Sequence, residues 1–188
     1  MRLRLLTLVL AVVAMSDLVS TATAASELPA RNAQRDAGRM MKGLTKGDFE
    51  QYLSYEYPEQ IKRSGGKDAN ITSLTMARQS LQKYGWKPKK DFVRKPTEIF
   101  RIGNELHALL ECHSVYQSDS VNWNEMEFIS YLIGQSLDDG ASWRFIVLLN
   151  DVKTTAVKSM LPSYDPKLIQ IPSTPKPIIS HVPKRKGN

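Results

Sequence analysis

The hydrophobic period of this chain of 188 residues changes once, and that change limits what it can fold into. Over residues 28–46, Ala30, Ala33, Ala37, Met40, Met41 and Leu44 recur three and four positions apart, the spacing of one helical face. Gly47 stops this helix. Asp48 offers a side-chain oxygen as N-cap to a second helix, which carries Phe49, Tyr52, Leu53, Tyr57 and Ile61 inward and is bent or split at Pro58. After Ser64-Gly65-Gly66, Asp68 or Asn70 is placed to cap a third helix through Leu74, Met76, Ala77, Leu81 and Tyr84, closed by Gly85. Beyond Trp86 the period becomes two. Phe92-Val93 starts a strand, a second covers 97–102, and Gly103-Asn104 turns it into a long strand over 105–117. A polar stretch precedes another strand over 126–137, and Asp138-Asp139-Gly140-Ala141 makes a hairpin into a last strand over 143–149. A short helix is expected over 152–161, with Ala156, Val157 and Met160 inward and Pro162 as its stop. Helices followed by an antiparallel meander define an α+β domain: N-terminal helices packed on a curved antiparallel sheet, a short C-terminal helix and an extended tail.

The two ends read differently. Arg2 and Arg4 precede an apolar run over 5–15, and Ala22 and Ala24 then supply the small-x-small pattern of a cleavage site, so residues 1–25 are expected to be a secretory signal. The run is about half the ~20 apolar residues a membrane-spanning helix needs, so no transmembrane segment is expected after cleavage. The mature protein is expected to be secreted or periplasmic. Residues 26–173 form one α+β domain on this reading, and 174–188 a basic, proline-rich flexible tail. Cys112 is the only cysteine, so an intramolecular disulfide is excluded and its thiol is expected in the core. The net charge of +7 includes the arginines of the signal and four uncompensated cations, Lys176, Lys184, Arg185 and Lys186, in the tail. What remains is nearly neutral, so nucleic acid is not an expected partner. The Lys-rich segment from Tyr84 to Lys90 reads as a solvated connection with a packing tryptophan.

Certain short motifs carry a resemblance. Met41-Lys42-Gly43-Leu44 with Gly47-Asp48, Tyr57-Pro58 with Gly65-Gly66-Lys67, the run from Asp138 to Ile146 and Met160-Leu161-Pro162 resemble the nuclear transport factor 2-like, or cystatin-like, superfamily, and more narrowly its exported bacterial proteins of unassigned role. The resemblance implies a strongly curved sheet wrapped around helices into a cone with an open mouth. Its catalytic members place an acid or histidine inside that cone.

Alternation decides which side chains such an interior would see. On the long strand Leu106, Ala108, Leu110, Cys112, Ser114 and Tyr116 share the face assigned to the interior, joined by Ser130 on the next strand. None is a general base, so no catalytic residue is assigned. His107, Glu111 and His113 fall on the other face, expected to be polar and wet. They span too much strand, at ~3.3 Å per residue, for one metal ion, so no metal site is assigned. No cofactor is assigned either: Gly65-Gly66-Lys67 follows a helix rather than a strand and lacks the phosphate-loop pattern. Tyr52, Tyr55 and Tyr57 offer apolar walls with hydroxyl tips at a pocket mouth. The candidate ligand contacts are therefore Tyr52, Cys112, Tyr116 and Ser130. The function expected is a non-enzymatic exported module that binds an unidentified small molecule or protein, with the sheet face as a candidate homodimer surface. A small lyase, isomerase or hydrolase using the cone pocket is the first alternative, and an envelope-associated structural protein the second.

Overall fold

The computed structural model describes residues 27–118, 124–148 and 154–181; the expected export signal lies outside them. Helix α1 covers 27–46 and buries Ala30, Ala33, Ala37, Met40 and Met41. In α2 (Phe49–Tyr55) the Gln51 N–H donates to Asp48 Oδ1 at 3.0 Å, the expected cap. Pro58 opens α3 (Pro58–Arg63) at a position where its missing N–H costs no intrahelical bond. Helix α4 (Lys67–Lys83) is capped by Gly66 rather than by Asp68 or Asn70. Asn70 lies one turn inside it, where its amide donates to the carbonyls of Gly66 and Ile61.

The sheet is six-stranded and antiparallel, built from β1 (Trp86–Val93), β2 (Ile99–Ile102), β3 (Glu105–Ser118), β4 (Asn124–Ser136), β5 (Arg144–Leu148) and β6 (Ile178–His181). Strands β3 and β4 are central. β1 and β2 share the outer edge of β3, while β5 and β6 share that of β4. Two expectations change here. The Lys-rich segment read as a connection is most of β1, an edge strand whose exposed Lys87, Lys89 and Lys90, with Pro88 and a bulge, discourage further pairing. Part of the segment read as a flexible tail is also paired, since β6 lies along Asn124–Glu127.

The sheet is covered on both faces. Ala33, Ala37, Met40, Met41, Tyr52 and Leu53 pack on Leu106, Ala108, Leu110, Cys112 and Leu132, as the alternation requires. The opposite face carries a second core, in which Ile133, Ile146 and Leu148 meet Val157 of α5 (Thr154–Met160) and Leu161, Tyr164 and Ile169 from the segment after it. His107 and His113 therefore lie on the expected face in a different environment: both are buried. In α5, Val157 is buried and Met160 partly so, whereas Ala156 points outward.

The outer edge of β5 is closed by side-chain mimicry. The Gln60 amide accepts from Val147 N–H at 2.9 Å and donates to Val147 C=O at 3.1 Å, and Tyr57 N–H donates to Phe145 C=O at 2.7 Å. The β4–β5 turn is anchored on α1. Asn32 donates to Gly140 C=O at 2.8 Å and Arg35 to Ala141 C=O at 3.1 Å. Gly140 is left-handed at φ +86, and a Cβ there would stand 2.5 Å from Pro29 Cβ. Gly140→Ala is therefore expected to lower stability by about 2 kcal/mol. Asp139→Gly, at a neighbour already left-handed at φ +53, should change it by less than about 0.5 kcal/mol; urea unfolding of both variants checks this.

Candidate functional site

Across the helix-facing side of the sheet, side chains stand in rows set by the strand register. Leu110 and Leu132 form a closed row with no exposure. The next row is Val93, Cys112 and Ser130, and the one after it Asp91, Ser114 and Phe128. From there the layers part, and a pocket of about 410 Å³ opens between sheet and helices, within the size range of small-molecule sites. Its floor includes Ser114, Tyr116, Phe128 and Ser130; its roof is Met41, Leu44, Tyr52 and, from α4, Leu74, Ala77 and Leu81. Thr174, just before β6, completes one wall. A hollow of about 70 Å³ adjoins it, sharing Leu44, Tyr116 and the α4 residues. The row of Leu110 and Leu132 thus closes one end, while Phe128 lies on the open side.

Three of the four candidate contacts, Tyr52, Tyr116 and Ser130, line this pocket. Cys112 does not; it sits fully buried in the adjoining core, where desolvation pushes its thiol up to about 12. Tyr55 packs against the helix-side core and Tyr57 against the opposite one, so neither joins Tyr52 at the pocket. No protein-family model, curated protein or solved structure matches this chain.

The structure corrects the expectation that the helix-facing side lacks an acid. Asp91 pairs with Ser114 in the β1–β3 register and shares its face. Burial raises the Asp91 carboxyl, and the neighbouring Ser114 hydroxyl offsets part of that rise. The residue was hidden because β1 reads as a loop. The available signal was the inward series Trp86, Pro88, Asp91 and Val93, which keeps alternation once a bulge is placed at Lys89. A buried acid, Glu56, follows α2 one turn after Tyr52. Its Oε2 has no hydrogen-bond partner among the described residues, and desolvation brings its carboxyl up to about 7.

The histidines of the other face fall into separate clusters. His113 stacks on Phe92 at 4.2 Å and places its ring nitrogens 2.6 Å from Glu111 and 2.7 Å from Glu127. Arg94 pairs with Glu111 at 3.0 Å. His107 Nε2 lies 3.0 Å from Glu105 Oε2, which also accepts from Gln135 and from Ser163, both at 2.6 Å. Ser163 thereby fastens the covering segment to β3. This is not a nucleophile triad: Glu105 and Ser163 both face Nε2, and Nδ1 is buried with no partner among the described residues. Nor do three His, Cys, Asp or Glu side chains among the described residues converge to hold a metal ion.

Desolvation lowers His107, with Glu105 opposing the shift, so native His107 is neutral at pH values where the unfolded chain begins to bind a proton. The His107 contribution to stability should therefore fall as pH drops below the ordinary imidazole value of 6.5 and level off below the lowered native one, while Glu56, raised to about 7, adds stability over the same descent. Urea unfolding of wild type and of His107→Gln from about pH 8 to pH 5 isolates the first effect: the stability difference between them should narrow as pH falls.

Proposed function

We propose that this protein is a binding module whose pocket beneath α4 holds a small, mostly apolar molecule. The observation that carries the reading is an open cavity of about 410 Å³ floored by hydroxyl-bearing strands and roofed by Tyr52 and aliphatic side chains. Export through residues 1–25 belongs to the same proposal and rests on the sequence alone. The resemblance to the nuclear transport factor 2-like superfamily supports it to the extent that a mouth between helices and sheet is where that architecture takes its ligands.

Asp91 favours proton transfer as a second reading. A carboxyl raised by burial and standing beside the pocket residue Ser114 in the sheet register is equipped to move a proton on a bound molecule. Neither reading uses the His107 or His113 clusters, which face away from the cavity. The homodimer through the sheet face loses much of its surface to the covering segment over Ile133 and Ile146; what remains for a partner is the part bearing Glu111, His113 and Glu127.

Two measurements test these readings. Native mass spectrometry of the protein from its own host should show a co-purifying small molecule. The neutral fluorescent probe phenylnaphthylamine should bind, and Ala77→Trp, which fills the pocket from a helix with no buried residue, should weaken it at least about tenfold without a loss of melting temperature. Unchanged probe affinity in that variant would remove the pocket reading. For proton transfer, carbon-bound hydrogens of the co-purifying molecule should exchange with deuterated water in the presence of the protein and not of Asp91→Asn.

A further inference from the structure

The near balance of charge in the folded part hides an uneven distribution. On α1, Arg31, Arg35, Arg39, Lys42 and Lys46 follow one another three or four residues apart, and all five are exposed. At 3.6 residues per turn they fall within a sector of about 80°, one narrow face of the helix. The only acid of α1 between Arg31 and Lys46 is Asp36, and it is 3 % exposed, buried beside the row with Arg35 Nε at 2.8 Å and Arg39 Nη1 at 3.8 Å.

The cations differ in how far they are already committed. Arg35 spends its remaining donors on Asn32 Oδ1 and Ala141 C=O. Arg31 is held loosely, 3.9 Å from Glu27. The ammonium groups of Lys42 and Lys46 enter no ion pair or hydrogen bond among the described residues. Like charges three and four residues apart on a helix repel, so this row costs the isolated fold stability that a bound counter-charge would restore.

The rest of the face narrows the choice of partner. Between Arg31 and Lys46 the helix has no aromatic side chain on which a base could stack. Its large apolar residues there are covered by the core or by the pocket, so none is free to sink into a bilayer. What is left is charge alone, repeated every ~5–6 Å along the helix axis, close to the length of one sugar in an extended chain. We propose that the exposed face of α1 is a docking surface for a linear acidic polysaccharide with one carboxylate per sugar, lying along the helix. The forks of Arg31 and Arg39 suit carboxylate groups, and Lys42 and Lys46 act as point charges. Met41 and Leu44 reach the pocket from the other side of the helix, so this surface is independent of the pocket reading.

The test titrates the full chain into end-labelled oligogalacturonides at low ionic strength and follows fluorescence anisotropy. Affinity should rise with length up to about five sugars, one per cation, change little beyond that, and fall with added salt. The triple variant Arg39→Gln, Lys42→Gln, Lys46→Gln should bind at least about tenfold more weakly at an unchanged melting temperature. Removing the same charge elsewhere, through Lys62→Gln, Lys158→Gln and Lys167→Gln, three exposed cations on other segments, should leave affinity within about twofold. Absence of binding, or equal loss in the two triple variants, would overturn the proposal. So would binding that survives the α1 variant and disappears when Lys184, Arg185 and Lys186 are replaced by serine. Tighter binding of phosphatidylglycerol vesicles or of oligothymidylate than of the polysaccharide would overturn the choice of partner.

Discussion

The pairing of β3 with β4, from Leu106 opposite Ser136 to Gln117 opposite Glu125, is the constraint on which the rest of the structure depends. Each side chain along it belongs to one of two packed layers, and a slip of one residue would exchange them. Leu110, Cys112 and Leu132 would then face the segment that supplies Ser163, while His107 would lie under alanines and methionines with nothing to satisfy it. On the far side Glu105, itself held by Gln135 and Ser163, is the partner of His107, which fixes the histidine there. The register and the hydrogen-bond network specify one another.

The helix-facing layer is uneven along α1, and the pocket follows from that unevenness. Its first half presents buried alanines, Ala30, Ala33 and Ala37, in a core closed by Trp143 and Phe145. Gly134 belongs to the same close packing, since a Cβ there would stand 3.0 Å from both aromatic rings. The second half presents Met41 and Leu44, and the cavity lies beneath them. Gly43 sits between because α2 crosses there: a Cβ would lie 2.8 Å from Tyr52 N. The motif residues Gly43, Asp48 and Gly140 have structural duties in this chain, a close approach, a cap and a turn. None of the three lines the pocket; of the motif residues only Met41 and Leu44 do, both without a hydrogen-bonding side chain, so the motifs carrying the resemblance say little of what the pocket would hold.

The central elements were legible in the sequence because burial on one face leaves a period of two or of 3.6, and α1, β3, β4 and the Asp138–Ala141 turn all carry it. β1 was not legible. An edge strand is selected against further pairing, and lysines with a proline do that while giving it the composition of a loop. Missing β1 meant missing Asp91, and with it an acid placed beside the pocket floor. The covering of the second face was hidden for another reason: Leu161, Tyr164 and Ile169 are spread through an irregular segment with no period to find. Tyr164, whose hydroxyl donates to Ile169 C=O at 2.7 Å, folds that segment on itself. Its prolines, Pro162 and Pro166, break any helix or strand pattern, and Leu161, Tyr164 and Ile169 were the signal that it had somewhere to pack.

A chain with one buried cysteine and no disulfide holds its shape by packing alone, and packing is thinnest where the pocket opens. Helix α4 buries no residue; Leu74 and Leu81 are half-covered because the space beneath them is open. Its firmest side-chain ties are the Arg78 bonds to the end of α1, the Lys67 pair with Glu50 and the Asn70 bond to Ile61. The exposed Lys67–Glu50 pair adds little, and with no buried side chain of its own α4 belongs to the low end of local stability. A molecule filling the cavity would bury apolar surface on the element that has least of it. Binding and the ordering of α4 would then be one event, and a ligand there would stabilise the folded state mainly through that helix rather than through the closed core of Leu110 and Leu132. The same thin packing that lowers stability is what leaves room for a guest.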